Sequence, residues 1–303
     1  MQSRFNFDQI NSWADFESAL LPLGKKAKGD AFEELTELFF RVNEVHASQY
    51  DEVWRWAEVP EKVKQSLNLP ERDLGVDLLL RKGEEYHAVQ CKYHTDRHSS
   101  VTFQQVSTFL TLLGSNDRIT LGYVCSSANG MSINLQKVTQ NTKQIQRVLS
   151  DTWAQLDVEF FDGVRSAIAG EKPVLKPFKP RKHQKKAIAK AVKHFKGNNH
   201  TRGKLIFPCG AGKSLTGYWI AEALKSRRTL IAVPSLSLVK QTIGVYLREC
   251  AATGRKVKWL CVCSDEGIGK GGDVVMYHND LGIPCETNIG VISQCLQDNA
   301  DED

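Results

Sequence analysis

The sequence predicts an α/β protein with two domains, a mixed-sheet domain followed by a domain with a parallel sheet. Residues 77–92 read as two strands joined by a short polar turn, the pattern of an antiparallel hairpin. Residues 204–224 read as a strand, a glycine-rich loop and an apolar-periodic helix, the pattern of a parallel α/β unit. A stretch rich in proline and lysine separates the two patterns.

Length and composition agree with this division. The chain has 303 residues, enough for two domains that each bury a core. Gly170–Pro180 contains three prolines and three lysines, which favour an extended linker. We therefore predict domains at residues 1–167 and 181–303, with a linker at residues 168–180. The net charge of +5 only permits a nucleic-acid partner, and the basic stretch Lys172–Lys196 fits either a phosphate contact or a solvated helix face.

The first predicted element is a helix in Lys28–Phe40. Its apolar residues recur at helical spacing and define a buried stripe that comprises Phe32, Leu35, Leu38 and Phe39. Glu33 and Glu34 both flank this stripe. Periodicity alone therefore leaves open which of the two carboxylates faces a functional site.

The hairpin that follows places three polar groups at one edge of a sheet. Neighbouring residues of a strand point to opposite faces, so Gln90 and Lys92 share a face while Cys91 points away. Antiparallel pairing returns that face to Asp77, which starts the first strand. Mg²⁺ prefers oxygen ligands, which the Asp77 carboxylate, the Gln90 amide and the Cys91 carbonyl would supply. Lys92 would then activate a water or stabilise developing negative charge.

These residues also carry a family resemblance. Leu74-Gly75-Val76-Asp77 followed by Gln90-Cys91-Lys92 resembles the core of PD-(D/E)XK nucleases, in the Gln-x-Lys form of Mrr-type restriction endonucleases. The opening helix resembles that family's first helix, in which a Phe-Glu pair supplies a further acid. Other segments that fit are Trp54–Pro60, Gly122–Ser127 and Phe160–Gly163.

The resemblance extends over roughly Gly24–Val164 and implies a restriction-endonuclease-like fold that cleaves double-stranded DNA with Mg²⁺. The catalytic residues that it implies are Glu33, Asp77, Gln90 and Lys92. The implied metal ligands are Asp77, Glu33 and the Cys91 carbonyl. Gln90 departs from the commoner acidic residue at its position, so the site carries less negative charge.

The second predicted site is a phosphate-binding loop. A strand at Leu205–Phe207 runs into Gly210-Ala211-Gly212-Lys213-Ser214 and then into a helix at Leu215–Leu224. Glycines let backbone N–H groups approach phosphates, and a helix N-terminus favours anions. Lys213 would reach the β- and γ-phosphates, and Ser214 would bind Mg²⁺. The pattern predicts ATP binding.

The flanking segments extend this interpretation. The shortened Gly-x-Gly-Lys-Ser form resembles motif I of superfamily 2 helicases. This resemblance implies that the second domain of the chain, residues 181–303, is part of a RecA-like domain. Gln184, before the helix Lys185–Phe195, resembles the glutamine that reads adenine, and Thr229–Gln241 resembles motif Ia, a buried strand turning into a helix. Further parallel strands are expected at Trp259–Ser264 and Ile289–Ser293.

Motif II of these enzymes is absent from the sequence. No acidic box follows a buried strand, and Asp301–Asp303 reads as a polar tail. The resemblance therefore implies ATP binding without useful hydrolysis. It also implies the N-terminal portion of a larger nuclease–translocase, with further helicase and methyltransferase or specificity regions that this chain does not contain.

Cysteine usage indicates a reducing compartment rather than disulfides or zinc. The eight cysteines lack a CxxC pair and lack histidines at zinc spacing. Cys261 and Cys263 alternate with apolar residues, which favours a buried strand over a metal site. Cys209 lies in the phosphate loop, where a free thiol suits the cytoplasm. No signal peptide or membrane span is recognisable, so we expect a cytoplasmic protein.

Two functions are consistent with these patterns. The first is a Mg²⁺-dependent DNA endonuclease coupled to an ATP-dependent translocase, for the restriction of foreign DNA. The alternative is a non-cleaving nucleic-acid-binding ATPase whose nuclease site is degenerate at Gln90.

Overall fold

The computed structural model describes residues 3–69, 75–140, 144–263 and 278–298. The chain divides into two compact units, one of Met1–Val174 with Trp259–Asp303 and one of Leu175–Lys258. The first unit thus includes a segment from the end of the chain. The predicted domain limits at residues 1–167 and 181–303 stay a prediction.

The secondary structure alternates strands and helices. The strands are β1 (Glu52–Arg55), β2 (Leu78–Lys82), β3 (Glu85–Lys92), β4 (Ser100–Val101), β5 (Ile119–Ser126), β6 (Gly130–Met131) and β7 (Ile145–Val148). The helices are α1 (Trp13–Leu20), α2 (Lys25–Val42), α3 (Glu44–Ala47), α4 (Glu61–Ser66), α5 (Phe103–Ser115), α6 (Ile133–Gln140), α7 (Ser150–Trp153), α8 (Val158–Ile168), α9 (Lys182–Val192), α10 (Lys213–Leu224), α11 (Leu236–Ala252) and α12 (Ile289–Asp298).

The first unit, called the N-terminal unit below, is built on a mixed sheet of five strands in the order β1-β2-β3-β5-β7. The pairs β1–β2 and β2–β3 are antiparallel, and the pairs β3–β5 and β5–β7 are parallel. Helix α5 connects β3 to β5, as a crossover between parallel strands requires. The predicted α/β class with a mixed sheet is confirmed.

Each face of this sheet packs against its own apolar core. Leu78, Val89 and Cys91 belong to one core, with the buried aromatic residues of α1 and α2. Leu79 and Ala88 belong to the other, with the apolar residues of α5. β3 lies in the middle of the sheet and is covered on both faces, so all its residues from 86 to 91 are buried.

Helix α2 has the buried stripe that the sequence predicts. Phe32, Leu35, Leu38 and Phe39 are each at most 2% exposed, as helical periodicity requires of a core-facing stripe. The helix begins at Lys25 and ends at Val42, three residues before and two residues after the predicted segment.

Two strand predictions near the end of the chain are corrected. Residues 289–293 belong to helix α12, because the Asn288 side chain accepts a hydrogen bond from the Gly290 backbone N–H at 2.8 Å and starts a helix there. Of the predicted strand at residues 259–264, the described residues make one isolated parallel bridge, Val262 with Glu286. Residue 264 lies outside the described residues, as do Leu74 and Asp301–Asp303.

The second unit contains helices α9, α10 and α11. The predicted helix after Gln184 is present, and a π-helical turn at Lys193–Gly197 follows it. The segments predicted as strands, at residues 205–207 and 229–233, form no ladder within the described part of this unit. A buried parallel strand requires neighbouring strands on its edges. These two segments form no such pairing among the described residues, and Ile206 is 78% and Leu230 is 97% exposed.

A buried histidine on β3 makes the stability of the N-terminal unit depend on pH. His87 Nδ1 lies 2.8 Å from the Tyr50 hydroxyl, which lies 2.8 Å from the Tyr123 hydroxyl. Burial, with a smaller contribution from Lys82, lowers the pKa of His87 from 6.5 to about 3. The folded protein keeps this ring neutral, whereas the unfolded chain binds a proton below pH 6.5.

We therefore expect stability to fall as the pH drops from 6.5 towards 3, on the order of 1 kcal/mol per pH unit from this group. Urea unfolding at several pH values measures this slope. His87→Gln should flatten it, and His98→Gln, which changes an exposed histidine, should not. An identical slope in His87→Gln and the wild type would contradict the prediction.

The connection between the units offers a test of the predicted linker. Residues 171–174 are exposed, whereas Arg248 donates to the Lys176 carbonyl at 3.0 Å and lies over the Phe178 ring. We expect limited subtilisin digestion to cut between Gly170 and Leu175, because this backbone has few contacts to hold it. Mass spectrometry of the fragments locates the cut. Cleavage inside Gly24–Val164 before any cut here would contradict the prediction.

Candidate active site

The candidate site is organised by the β2–β3 hairpin. The register pairs Leu78 with Val89 and Lys82 with Glu85, so the turn is Gly83-Glu84. Gly83 has φ +58, a value that glycine adopts at little cost and that two-residue hairpin turns require. The predicted strand–turn–strand arrangement is therefore confirmed, and its register sets Asp77 opposite Gln90.

The Asp77 carboxylate lies over the end of β3. Its Oδ2 accepts from the Cys91 backbone N–H at 2.5 Å and from Gln90 Nε2 at 3.3 Å. Its backbone is fixed on both sides, since its N–H donates to Val89 O at 2.8 Å and its carbonyl accepts from Trp56 N at 2.9 Å. The structure thus brings together Asp77, Gln90 and Cys91, as the sequence predicts.

Gln90 presents a buried oxygen that has no hydrogen-bond partner. The side chain is 2% exposed, and its Oε1 makes no hydrogen bond. Gly75 allows this placement, because a Cβ there would lie 3.0 Å from Gln90 Oε1 and 2.9 Å from Thr108 Oγ1. An uncompensated buried carbonyl is costly unless a ligand satisfies it. Such an oxygen beside a carboxylate fits a hard cation such as Mg²⁺.

The two glutamates that the sequence leaves open have different surroundings. Glu34 is fully buried and accepts from Ser3 Oγ at 2.7 Å and from the Arg4 and Phe5 backbone N–H groups. Burial, followed by the charges of Asp77, Cys125 and Glu33, raises the pKa of the Cys91 thiol. The charges of Glu33 and Asp77 therefore both act on Cys91. Glu34 instead binds the N-terminal segment through its hydrogen bonds.

Lys92 ends β3 on the face that Gln90 occupies. Its carbonyl accepts from Ser126 Oγ at 2.7 Å, which fixes the strand end against β5. Burial, and next the Lys92 charge, lowers the pKa of His94. His94 Nε2 is buried without a hydrogen-bond partner. Sequence reasoning missed this histidine, although its position two residues after Lys92 continues the alternation of the strand.

The second predicted site lies wholly within the second unit, Leu175–Lys258. Gly210 and Gly212 have φ +73 and +75, and α10 begins at Lys213 directly after them. These left-handed glycines turn the chain into the helix N-terminus, which suits a phosphate. Lys213 Nζ donates to the Pro208 carbonyl at 3.2 Å, so the lysine closes over its own loop. Ser214 follows in the first turn, half-buried.

Gln184 is brought to this loop from α9. Its Nε2 donates to the Gly212 carbonyl at 3.2 Å and lies 3.4 Å from the Ala211 carbonyl. A Cβ on Gly212 would lie 2.5 Å from Gln184 Nε2, so a substitution would displace Gln184, and the φ of +75 itself favours glycine. The loop and Gln184 therefore form one assembly, as the sequence predicts for a nucleotide-binding site.

Comparison with known families assigns both regions. Residues 41–166 match the restriction endonuclease family model, and residues 177–260 match the model of the Type III restriction enzyme, res subunit. The chain joins a restriction endonuclease domain to a helicase-like domain. Asp77, Gln90 and Lys92 lie in the first match and the phosphate loop lies in the second, whereas Glu33 lies before both.

A solved structure resembles nearly the whole chain. It is described as the ATP-dependent Type ISP restriction-modification enzyme LlaBIII bound to DNA, with a TM-score of 0.69 and 25% identity. The similarity covers 95% of this chain and 17% of that enzyme, so the chain spans about 17% of its length. A crystal structure of a protein of unknown function gives a TM-score of 0.26 at 12% identity, over 62% of this chain and 97% of that one. No curated protein matches the chain significantly.

The described residues contain no segment that could cross a membrane as a helix. None of their helices combines the length and the hydropathy that a bilayer span requires.

Proposed function

We propose that the N-terminal unit is a Mg²⁺-dependent endodeoxyribonuclease. The observation that supports this most directly is the unpartnered, buried Gln90 Oε1 beside the Asp77 carboxylate. Both belong to a region that matches the restriction endonuclease family. The DNA-bound state of the similar Type ISP enzyme supports double-stranded DNA as the substrate.

The residues would have distinct roles in phosphodiester hydrolysis. Asp77 and Glu33 would hold the metal with the Gln90 amide oxygen and the Cys91 carbonyl, and the metal would supply Lewis-acid stabilisation of the phosphate. Lys92, at the end of β3, would orient the attacking water and stabilise negative charge on the phosphate oxygens. The hydrogen bond from Cys91 N keeps the Asp77 carboxylate aimed at that edge.

We further propose that the second unit binds Mg·ATP and belongs to a DNA translocase. Gly210, Ala211 and Gly212 would cradle phosphates with their backbone N–H groups, and Ser214 would bind the metal. Gln184, already beside the loop, would contact adenine. Translocation, restriction of foreign DNA and any methyltransferase or specificity partner concern a longer enzyme, of which this chain corresponds to 17% in the similar structure.

One observation favours the alternative of a non-cleaving DNA-binding protein. Gln90 replaces a carboxylate, and its Nε2 donates to Asp77 Oδ2 at 3.3 Å, where a metal would compete for the same oxygen. Metal affinity would then be weaker than in a site with two acidic residues on the hairpin.

A plasmid-cleavage assay separates the two functions. Supercoiled plasmid is incubated with the purified chain in Mg²⁺, in Ca²⁺ and in EDTA, and nicked and linear products are measured. The nuclease proposal expects products in Mg²⁺ that EDTA abolishes. DNA binding without products in Mg²⁺ or in Mn²⁺, which often supports weak nuclease sites, would favour the alternative.

Lys213→Ala is expected to weaken ATP binding about tenfold or more, because hydrogen bonds to charged groups contribute roughly 1.5–3 kcal/mol. Fluorescent-nucleotide titration measures the effect. Lys190→Ala, which removes an exposed lysine of α9, is the matched control.

We also expect no ATP turnover above background from the wild-type chain. Turnover that disappears in Lys213→Ala would show that a catalytic acid has been overlooked.

A further inference from the structure

Three cysteines from two separate segments converge in the N-terminal unit. Cys261 and Cys263 lie just before the described segment ends at residue 263, and Cys285 lies in the segment that begins at His278. Their Sγ atoms all lie within 4.8 Å of one another, and Cys261 and Cys285 are 3.6 Å apart. The sequence predicts a buried strand for Cys261 and Cys263 in preference to a metal site, and it gives no indication that Cys285 joins them.

The convergence is supported by contacts from both segments. Val262 and Glu286 form a parallel bridge, and the Glu286 N–H donates to the Cys261 carbonyl at 2.9 Å. Gln144 Nε2 donates to the Cys285 carbonyl at 3.0 Å, which connects the segment of Cys285 to the residue before β7.

The same segment is also held by charge and by apolar burial. Arg147 on β7 forms an ion pair with Asp280 at 3.2 Å, and it is 7% exposed. Leu281 and Ile283 are buried at 1% and 4% exposure. The cysteines are therefore positioned by the fold of the N-terminal unit rather than by their mutual contact alone.

The sulfur separations fit a tetrahedral metal centre. Zinc–sulfur bonds of about 2.3 Å in a tetrahedron place two sulfurs about 3.8 Å apart. The observed 3.6 Å between Cys261 and Cys285 is close to this value. A disulfide requires sulfurs about 2.0 Å apart and would leave the third cysteine of the cluster without a partner.

The three sulfurs supply three ligands of a tetrahedral ion. In zinc sites with three protein ligands, a water molecule takes the fourth position.

We propose that Cys261, Cys263 and Cys285 bind a zinc ion that holds the two segments together. Thiolate ligands favour zinc over Mg²⁺, so this centre is chemically separate from the carboxylate site on the hairpin. The ion would fasten residues 259–263 and 278–286 to each other and, through Gln144 and Arg147, to the edge of the sheet.

The direct test is the zinc content of the full chain. The protein is purified under reducing conditions without chelator, and zinc is measured by mass spectrometry; we expect about one ion per chain. Cys285→Ser should lose the ion, and Cys209→Ser, which changes an exposed cysteine of the other unit, should keep it. Wild-type protein without zinc after supply of the metal, or Cys285→Ser with undiminished zinc, would overturn the proposal.

Cobalt substitution tests the ligand set independently of whether a variant folds well. Co²⁺ added to metal-free wild type should give the near-ultraviolet charge-transfer band of thiolate ligation. Cys263→Ser should weaken this band and bind Co²⁺ more weakly, with circular dichroism as the check on folding. Uptake of Co²⁺ without the band, or an unchanged band in Cys263→Ser, would overturn the proposal.

Discussion

The Asp77→Ala protein is expected to lose metal-dependent DNA cleavage by about 100-fold or more, the effect of removing one group from a site that acts electrostatically. Asp77 supplies a negative charge beside the Gln90 amide, and its position is fixed by the Cys91 N–H. Lys92→Ala should have a comparable effect, because it removes the lysine at the end of β3 that is proposed to stabilise the phosphate. Initial rates of plasmid nicking measure both.

Two controls separate chemistry from folding. Asp77→Asn keeps an oxygen that can accept from Cys91 N, so it should remain folded and still lose cleavage. Asp51→Asn makes the same change at a residue outside the hairpin that contacts its turn, where Asp51 Oδ2 accepts from Gly83 N at 2.8 Å, and this variant should cleave normally. Normal cleavage by the Asp77→Asn protein would show that the active site lies elsewhere.

Trp153→Ala is expected to destabilise the N-terminal unit by about 3–5 kcal/mol, the usual cost of truncating a large aromatic core residue. Trp153 is fully buried, with its ring 5.2 Å from that of Phe32 and 5.1 Å from that of Phe39. Its Nε1 donates to the Ser126 carbonyl at 2.8 Å, at the end of β5. Removal would leave a cavity and a carbonyl without its donor.

Urea unfolding followed by near-ultraviolet circular dichroism measures this loss. Trp153→Phe keeps most of the buried ring and removes only the indole N–H, so it should cost roughly 1–3 kcal/mol. If the alanine and phenylalanine variants were equally stable, the ring contacts with α2 would contribute little and the prediction would be wrong.

The hairpin could be predicted from sequence because its information is local. Alternation, a glycine in the turn and an apolar strand on each side determine the pairing of Leu78 with Val89. The choice between Glu33 and Glu34 could not be made this way, because it depends on Ser3 and Arg4, thirty residues away along the chain. The functional role of Glu33 stays a prediction.

The errors of the sequence analysis have a common physical origin. Ile289–Ser293 is apolar enough for a strand, but the capping oxygen of Asn288 starts a helix. Ile206 and Leu230 have strand propensity, yet strands form only where neighbouring strands accept their hydrogen bonds. The cysteine cluster joins segments 22 residues or more apart in sequence, and it lacks the CxxC pair from which spacing rules for zinc start.

The two-residue turn at Gly83 has a consequence for how this protein can evolve. Because β3 is buried on both faces, a change in turn length that slipped its pairing by one residue would exchange the faces of the whole strand. Lys92 would then enter an apolar core, and Cys91 would take the position of the Gln90 amide. Gly83 lies about 23 Å along the strand from Gln90, yet insertions there should be purged by selection as efficiently as changes to the proposed metal ligands.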